Sequence, residues 1–447
     1  MNRVLHPTTA ADCLSTAQQR GRVAEVVTDL GHRLGTAGVL TRAIAASRVQ
    51  TGFPEAVQWW DPSLAQGHAG IAVLFGALDT TYPGQAWDRL GHRHLALAAR
   101  AAEQVPWLPA ALFSGSAGLG FAALCLSQGR QRYARLLTSV DHTVAQRSAQ
   151  LVQRLDTHRP GVWVSDFDVI SGLSGIGAYL LARGSSEADP VLRAVLSALS
   201  RLIVAADDPP AWHTPAQHLP TEEQKKLYPY GNLNCGLAHG IPGPLALLAL
   251  AKLAGYHVPT ADAAIDRAAG WLAEQQVSDE WGVNWPDAVP LGAAADPLPP
   301  RYLGRASWCY GAPGIARALW LAGQALDDDG YRDLAVTAMT DAVTKPPPAR
   351  GLTSVTFCHG TAGLLYIVST FARDTGLPIF SSAAGCLLDE VLDNYEPDSL
   401  LGYVNLEPGA RRVDQPGLLD GVPGVALALL AAVSTVEPAW GRLFLLC

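Results

Sequence analysis

Seven times along this chain of 447 residues, the pattern G-x-x-G opens an apolar segment. It runs GHAGIAVLF from Gly67, GSAGLGFAAL from Gly115, GLSGIGAYLL from Gly172 and GIPGPLALLAL from Gly240. It continues with GAPGIARALWLA from Gly311, GTAGLLYIV from Gly360 and GVPGVALALLAA from Gly421. The second glycines are 48, 57, 68, 71, 49 and 61 residues apart. A unit that recurs this often restricts the chain to a repeat architecture.

Each unit reads as two helices. The segment after G-x-x-G is apolar on nearly every side, as a helix buried all round must be. Between these segments lie amphipathic stretches, among them 86–104, 133–155 and 261–276, with charges on one face and Ala and Leu on the other. They form an outer layer. The expectation is an all-α fold: an (α/α) toroid of seven inner and seven outer helices, in which ring closure leaves no terminal repeat to cap. We read 1–447 as one such domain. Two polar connections, 207–232 and 277–304, read as loops that could form a small extension and contact substrate. The acidic LDDDGYRD (326–333) reads as a solvated loop between helices.

Composition narrows the function. Hydrophobic residues make up 49% and charged residues 16%, enough for a large core. Net charge is -8 with no basic run, so nucleic acid is not an expected partner. The opening MNRVLHPTTAADC has no apolar h-region, and no apolar run approaches the ~20 residues that span a bilayer. Seven dispersed cysteines (Cys13, Cys125, Cys235, Cys309, Cys358, Cys386, Cys447) fit reduced thiols better than a disulfide framework, hence a cytoplasmic location.

If all inner helices run the same way, every G-x-x-G turn lies at one rim. The residues just before the first glycines are then equivalent: Gln66, Ser114, Ser171, His239, Tyr310, His359 and Asp420. One place earlier stand Ala65, Phe113, Ile170, Ala238, Cys309, Cys358 and Leu419. Reactive groups concentrate in units four to six. Cys309, Cys358 and His359 occupy matching places in successive units and can converge despite their separation.

Two thiolates and an imidazole suit zinc, and three protein ligands leave the fourth tetrahedral position open, as in catalytic sites. Either cysteine alone would read as a small buried hydrophobe. Aligned on one turn with His359 attached, the set reads as metal ligands. Thiolate charge softens the Lewis acidity of Zn²⁺, so the chemistry expected is attack by a bound substrate thiolate on an electrophile. Inner-helix N-termini at the rim would add positive potential. A proton must then return to the carbanion or enolate. His239, in the rim slot one unit before His359's neighbour, is the leading acid, with a fourth-ligand or structural role as the alternative. Asp168 could orient a histidine or the substrate amide, or simply cap a turn. Arg305 could stabilise an enolate oxygen or form a structural ion pair.

NCGLAHGIPG, RASWCYGAPG and FCHGTAG, in this order and with DVISGLSG before them, resemble the lanthionine synthetase C-like family, specifically its stand-alone class I lanthipeptide cyclases. The resemblance covers almost the whole chain. It implies a Zn²⁺-containing α/α toroid that adds cysteines of a dehydrated precursor peptide to dehydroalanine or dehydrobutyrine, closing thioether rings. It also implies Cys309, Cys358 and His359 as ligands, with His239, Asp168, Arg305 and Tyr310 around them. Cys235 stands where the family more commonly has an apolar residue and reads as packing, within reach of the metal. No dehydratase-like region precedes the repeats, so a separate dehydratase would supply the substrate. An exporter and an association with a membrane-peripheral biosynthetic complex follow by analogy.

Three rivals differ in chemistry. A prenyltransferase subunit or terpene cyclase also uses a helical toroid, but the chain has no DDxxD motif. A related enzyme joining glutathione to dehydrated residues would use the same zinc site between molecules. A non-catalytic peptide-binding toroid would use zinc for folding alone, against which the open position and His239 argue.

Overall fold

The computed structural model describes residues 15–55, 57–127, 129, 132–157, 161–292, 298–435 and 438–447. Cys13 and the opening stretch lie outside them. The seven apolar segments are helices: His68–Thr81, Ser116–Leu126, Leu173–Arg183, Pro242–Leu253, Ala312–Leu326, Thr361–Thr375 and Val422–Val433. Each packs on the next, and the seventh packs back on the first, so the inner ring closes. Six outer helices follow their inner partners: Trp87–Glu103, Ala134–Thr157, Asp189–Val204, Ala261–Glu274, Asp329–Thr344 and Pro378–Asp393. The seventh comes from the other end of the chain, where Ala17–Gly35 packs on Val422–Val433. The chain is a helical toroid whose last hairpin is completed by its first helix.

The inner helices are apolar on every side because each is enclosed by two ring neighbours and an outer helix. In Val422–Val433 all residues but the last are buried. The glycines let each helix start against its own preceding loop. A Cβ on Gly363 would collide with the carbonyl of Phe357. Gly311, with φ of 89°, adopts a left-handed backbone that disfavours any side chain.

At the rim, a ring of backbone hydrogen bonds links the units. The amide of Ala65 donates to Phe113 O (2.9 Å), Phe113 to Ile170 (3.2 Å), Val169 to Ala238 (3.1 Å) and Ala238 to Cys309 (3.4 Å). Cys309 donates to Cys358 (3.3 Å), Cys358 to Leu419 (2.9 Å) and Leu419 back to Ala65 (3.4 Å). These are the residues two places before each first glycine, apart from Val169, which donates in place of Ile170. Adjacent rim slots are thereby held at hydrogen-bond distance.

Below this layer the ring is filled by its own C-terminus. Phe444 stacks on Phe357 at 3.8 Å between centroids and meets Trp308 edge-on at 5.2 Å. Trp308 Nε1 donates to Phe444 O (3.0 Å), and the buried Arg317 donates to Leu446 O (2.6 Å). The centre of the ring is thus closed by aromatic side chains.

The two connections read as loops carry regular structure. Residues 207–232 hold the 3-10 turn Ala216–His218 and the helix Glu222–Leu227. In 277–304, Val277–Asp279 pairs with Gly282–Asn284, and Ala288–Pro290 pairs antiparallel with Asn232–Asn234. A third hairpin joins Asn405–Glu407 to Arg411–Val413. These short pairs form wherever two extended connections lie side by side, which a local pattern of polar residues and proline does not reveal. The acidic 326–333 stretch is also shorter as a loop than its composition suggested. Only Asp327 and Asp328 link the helices, and Asp328 caps the second by accepting from Tyr331 N (3.0 Å). No helix among the described residues is long and apolar enough to cross a membrane.

Candidate metal centre and active site

The rim brings Cys309, Cys358 and His359 together. One donor atom from each lies within 4.8 Å of the others. Their approach follows from the backbone ring, which ties Cys309 to Cys358 directly, and from His359 following Cys358 in sequence. Ser307, fully buried, places its hydroxyl 3.5 Å from Cys309 Sγ. The two thiols divide their acidity: a hydrogen bond from Cys358 draws Cys309 down to about 6, and the same bond with burial pushes Cys358 up. The pair therefore loses one proton readily, and a cation would complete the removal of the other.

The set passes the chemical test for a soft divalent metal. Two sulfurs and one imidazole nitrogen this close together would suit a zinc ion, which takes such a mixed donor set. Behind His359 lies Asp420, whose buried Oδ1 has no hydrogen bond among the described residues and stands 3.4 Å from His359 Nδ1. Its Oδ2 accepts from Gln66 Nε2 (3.1 Å). A carboxylate behind one ring nitrogen fixes the imidazole and leaves the other nitrogen as the electron-pair donor. Burial pushes the Asp420 carboxyl up, and His359 opposes this. Cys235 is no part of the group: it is fully buried, bonds Leu233 O at 3.7 Å, and burial raises its thiol to about 12.

One unit away, His239 Nδ1 is 2.7 Å from Asp168 Oδ2. The other Asp168 oxygen accepts the amides of Ser171 and Gly172, both at 2.8 Å. Asp168 thus bonds the turn with one oxygen and His239 with the other. His239 keeps Nε2 for other partners, and its side chain is 38% exposed on the rim. Burial alone would lower its pKa, but the hydrogen bond and charge of Asp168, with the nearby Cys309, outweigh burial and raise it. Tyr310 lies beside it, ring centroids 6.4 Å apart, and its hydroxyl accepts from Asn234 Nδ2 (3.1 Å). Arg305 is exposed at the same rim, near enough for its charge to favour both thiolates and the ionised Asp287.

Helix-terminus donors contribute less than the sequence suggested. The amides of Thr361 and Ala362 bond Ser354 O and Val355 O (both 3.1 Å), and those of Ser116 and Val422 are likewise taken by the loops before them. The turn that places each helix against its own loop consumes its free N–H groups. Sequence reasoning assigned nothing to Asp420, Gln66, Ser307 or Asn234. The rim alignment did place Gln66 and Asp420 in the same slot as His359, the one signal that could have singled them out.

The architecture defines the class. Nisin cyclase shares this fold, with a TM-score of 0.73 and 23% identity over 91% of this chain and 97% of that one. Residues 58–445 match the family described as Lanthionine synthetase C-like protein, so the chain belongs to that family. The Nisin biosynthesis protein NisC of Lactococcus lactis subsp. lactis is 26% identical over 373 residues, 82% of this chain and 84% of its own length.

Proposed function

We propose that this protein is a zinc-dependent lanthipeptide cyclase. It adds cysteine thiolates of a dehydrated precursor peptide to dehydroalanine or dehydrobutyrine, forming lanthionine and methyllanthionine rings. The observation that carries the reading is the convergence of Cys309, Cys358 and His359 beside a carboxylate-held His239, on one rim of a chain from this family.

Cys309, Cys358 and His359 would hold the zinc. When bound, the ion supplies a site at which a substrate thiol loses its proton yet remains nucleophilic. In the addition, a sulfur–carbon bond forms at the β-carbon while the carbon–carbon π bond breaks. The electron pair moves toward the α-carbon and the adjoining carbonyl. Arg305 would stabilise the enolate oxygen. His239, protonated in its raised-pKa state and held by Asp168, delivers a proton from Nε2 to the α-carbon, and Tyr310 packs against the imidazole to fix the approach. No group leaves, so the thiol proton lost at the start balances the one gained. A separate dehydratase would supply the substrate, and we propose a cytoplasmic setting beside that enzyme and an exporter.

The test measures metal content and thiol loss together. Purified protein should carry about one zinc per chain, and Cys358→Ala should lose it. Incubation with a dehydrated, cysteine-containing peptide should remove alkylatable thiols only in the zinc-loaded protein. Retention of zinc by the variant would sink the ligand assignment. Unchanged thiols with zinc present would favour a peptide-binding role.

A further inference from the structure

A cleft of about 560 Å³ opens between the second and third units. Its floor includes Ser114 and Ser171, the rim slots of those units, and its wall carries Trp107, Arg147, Arg154 and Ser165. The amide of Ser171 donates to Asp168, whose other oxygen holds His239. The cleft thus ends at Ser171, two hydrogen bonds away from the proposed proton donor. A second cleft of about 320 Å³, between Trp87–Glu103 and Ala134–Thr157, shares Arg147 with the first and carries Glu103 on its far side.

The chemistry of this groove is selective. Arg154 is engaged by the buried Asp166 at 2.7 Å. Arg147 has no carboxylate partner among the described residues, and its guanidinium lies over the ring of Trp107. Trp107 itself is 61% exposed, the most exposed tryptophan of the described chain. A guanidinium supported on an indole keeps its N–H edges available for a two-pronged bond to a carboxylate. The indole beside it offers apolar area with little freedom to lose. The chain as a whole carries -8, so this local cation is not part of a general basic field.

From these residues we infer that the groove is a docking site for a segment of the substrate peptide in which a carboxylate neighbours an apolar side chain. The inference rests on the peptide-cyclase reading and extends it: Arg147 and Trp107 grip the peptide outside the ring being closed. The carboxylate forks onto Arg147, the neighbouring side chain lies on Trp107, and the reacting residues continue past Ser171 to His239.

Two dye-labelled decapeptides test this by fluorescence anisotropy. In one, two aspartates each follow a leucine; in its twin the aspartates are asparagines. The wild-type protein should bind the aspartate peptide about ten-fold or more tightly than the twin, as a charge-assisted pair predicts. Added salt should erode the preference. Arg147→Ala should abolish it, Arg147→Lys should retain part of it, and Trp107→Ala should weaken both peptides. Chelation of metal should leave both affinities as they were. Equal binding of the twins to wild type, or a preference that survives in a folded Arg147→Ala, overturns the proposal. A thiol-loss assay on the same preparation separates the two readings. Cyclisation without charge preference removes the docking site alone, whereas preference without cyclisation removes the cyclase and leaves an acidic-peptide site.

Discussion

The amide of Cys309 donates to the carbonyl of Cys358 at 3.3 Å, across the boundary between two units whose ring neighbours are joined in the same way. The two proposed sulfur ligands are therefore positioned by main chain rather than by flexible side chains. Main-chain positioning of this kind pre-organises the two sulfurs toward each other.

Asp420 provides the most direct probe of how His359 is held. Asp420→Asn or Asp420→Ala should weaken zinc binding about 10- to 100-fold, the usual effect of removing a carboxylate behind a ligating histidine. Competition against a chromogenic chelator reads this without any catalytic assay. Equal affinity in variant and wild type would remove Asp420 from the site.

His239 should matter to rate and not to metal. His239→Ala should keep its zinc yet cyclise about 10²- to 10⁴-fold more slowly, the range of a lost general acid. Its pKa is raised above 6.5, so the acid form persists past that value and activity should fall as pH climbs through the raised pKa. Asp168→Asn removes the larger of the charges that raise it, leaving burial opposed by Cys309. The alkaline limb of the pH–rate profile should then move to lower pH.

The buried pair His68 and His94, with Nδ1 atoms 3.0 Å apart, should make stability depend on pH. Burial, followed by the charges of His68 and Arg93, depresses His94 to about 3. A neutral folded state with a depressed pKa is fully favoured above about pH 6.5 and loses ground as pH falls toward 3, because the unfolded chain takes up the proton. Chemical denaturation should show His94→Gln losing less stability than wild type below pH 6.5, by roughly 1 kcal/mol per pH unit for one proton. Parallel curves would assign the acid sensitivity elsewhere.

Phe444 plugs the ring, and Phe444→Ala should destabilise the protein by ~3–5 kcal/mol, as expected for a buried aromatic replaced by a cavity. Thermal unfolding measures it. A shift below 1 °C would mean that the aromatic centre closes without it.

Much of this protein was legible one residue at a time. The apolar run after each G-x-x-G, the glycines that let Gly311 and Gly363 turn, and the matching slots of Cys309, Cys358 and His359 are local patterns, and local sterics and burial enforce them. They set seven units, one rim and the proposed ligands. Other features join residues with no common motif. Ala17–Gly35 completes the seventh hairpin, Phe444 fills the centre, and Asn232–Asn234 pairs with Ala288–Pro290. Those contacts exist only once the ring has closed and brought the chain's ends together, so tertiary structure alone could decide them.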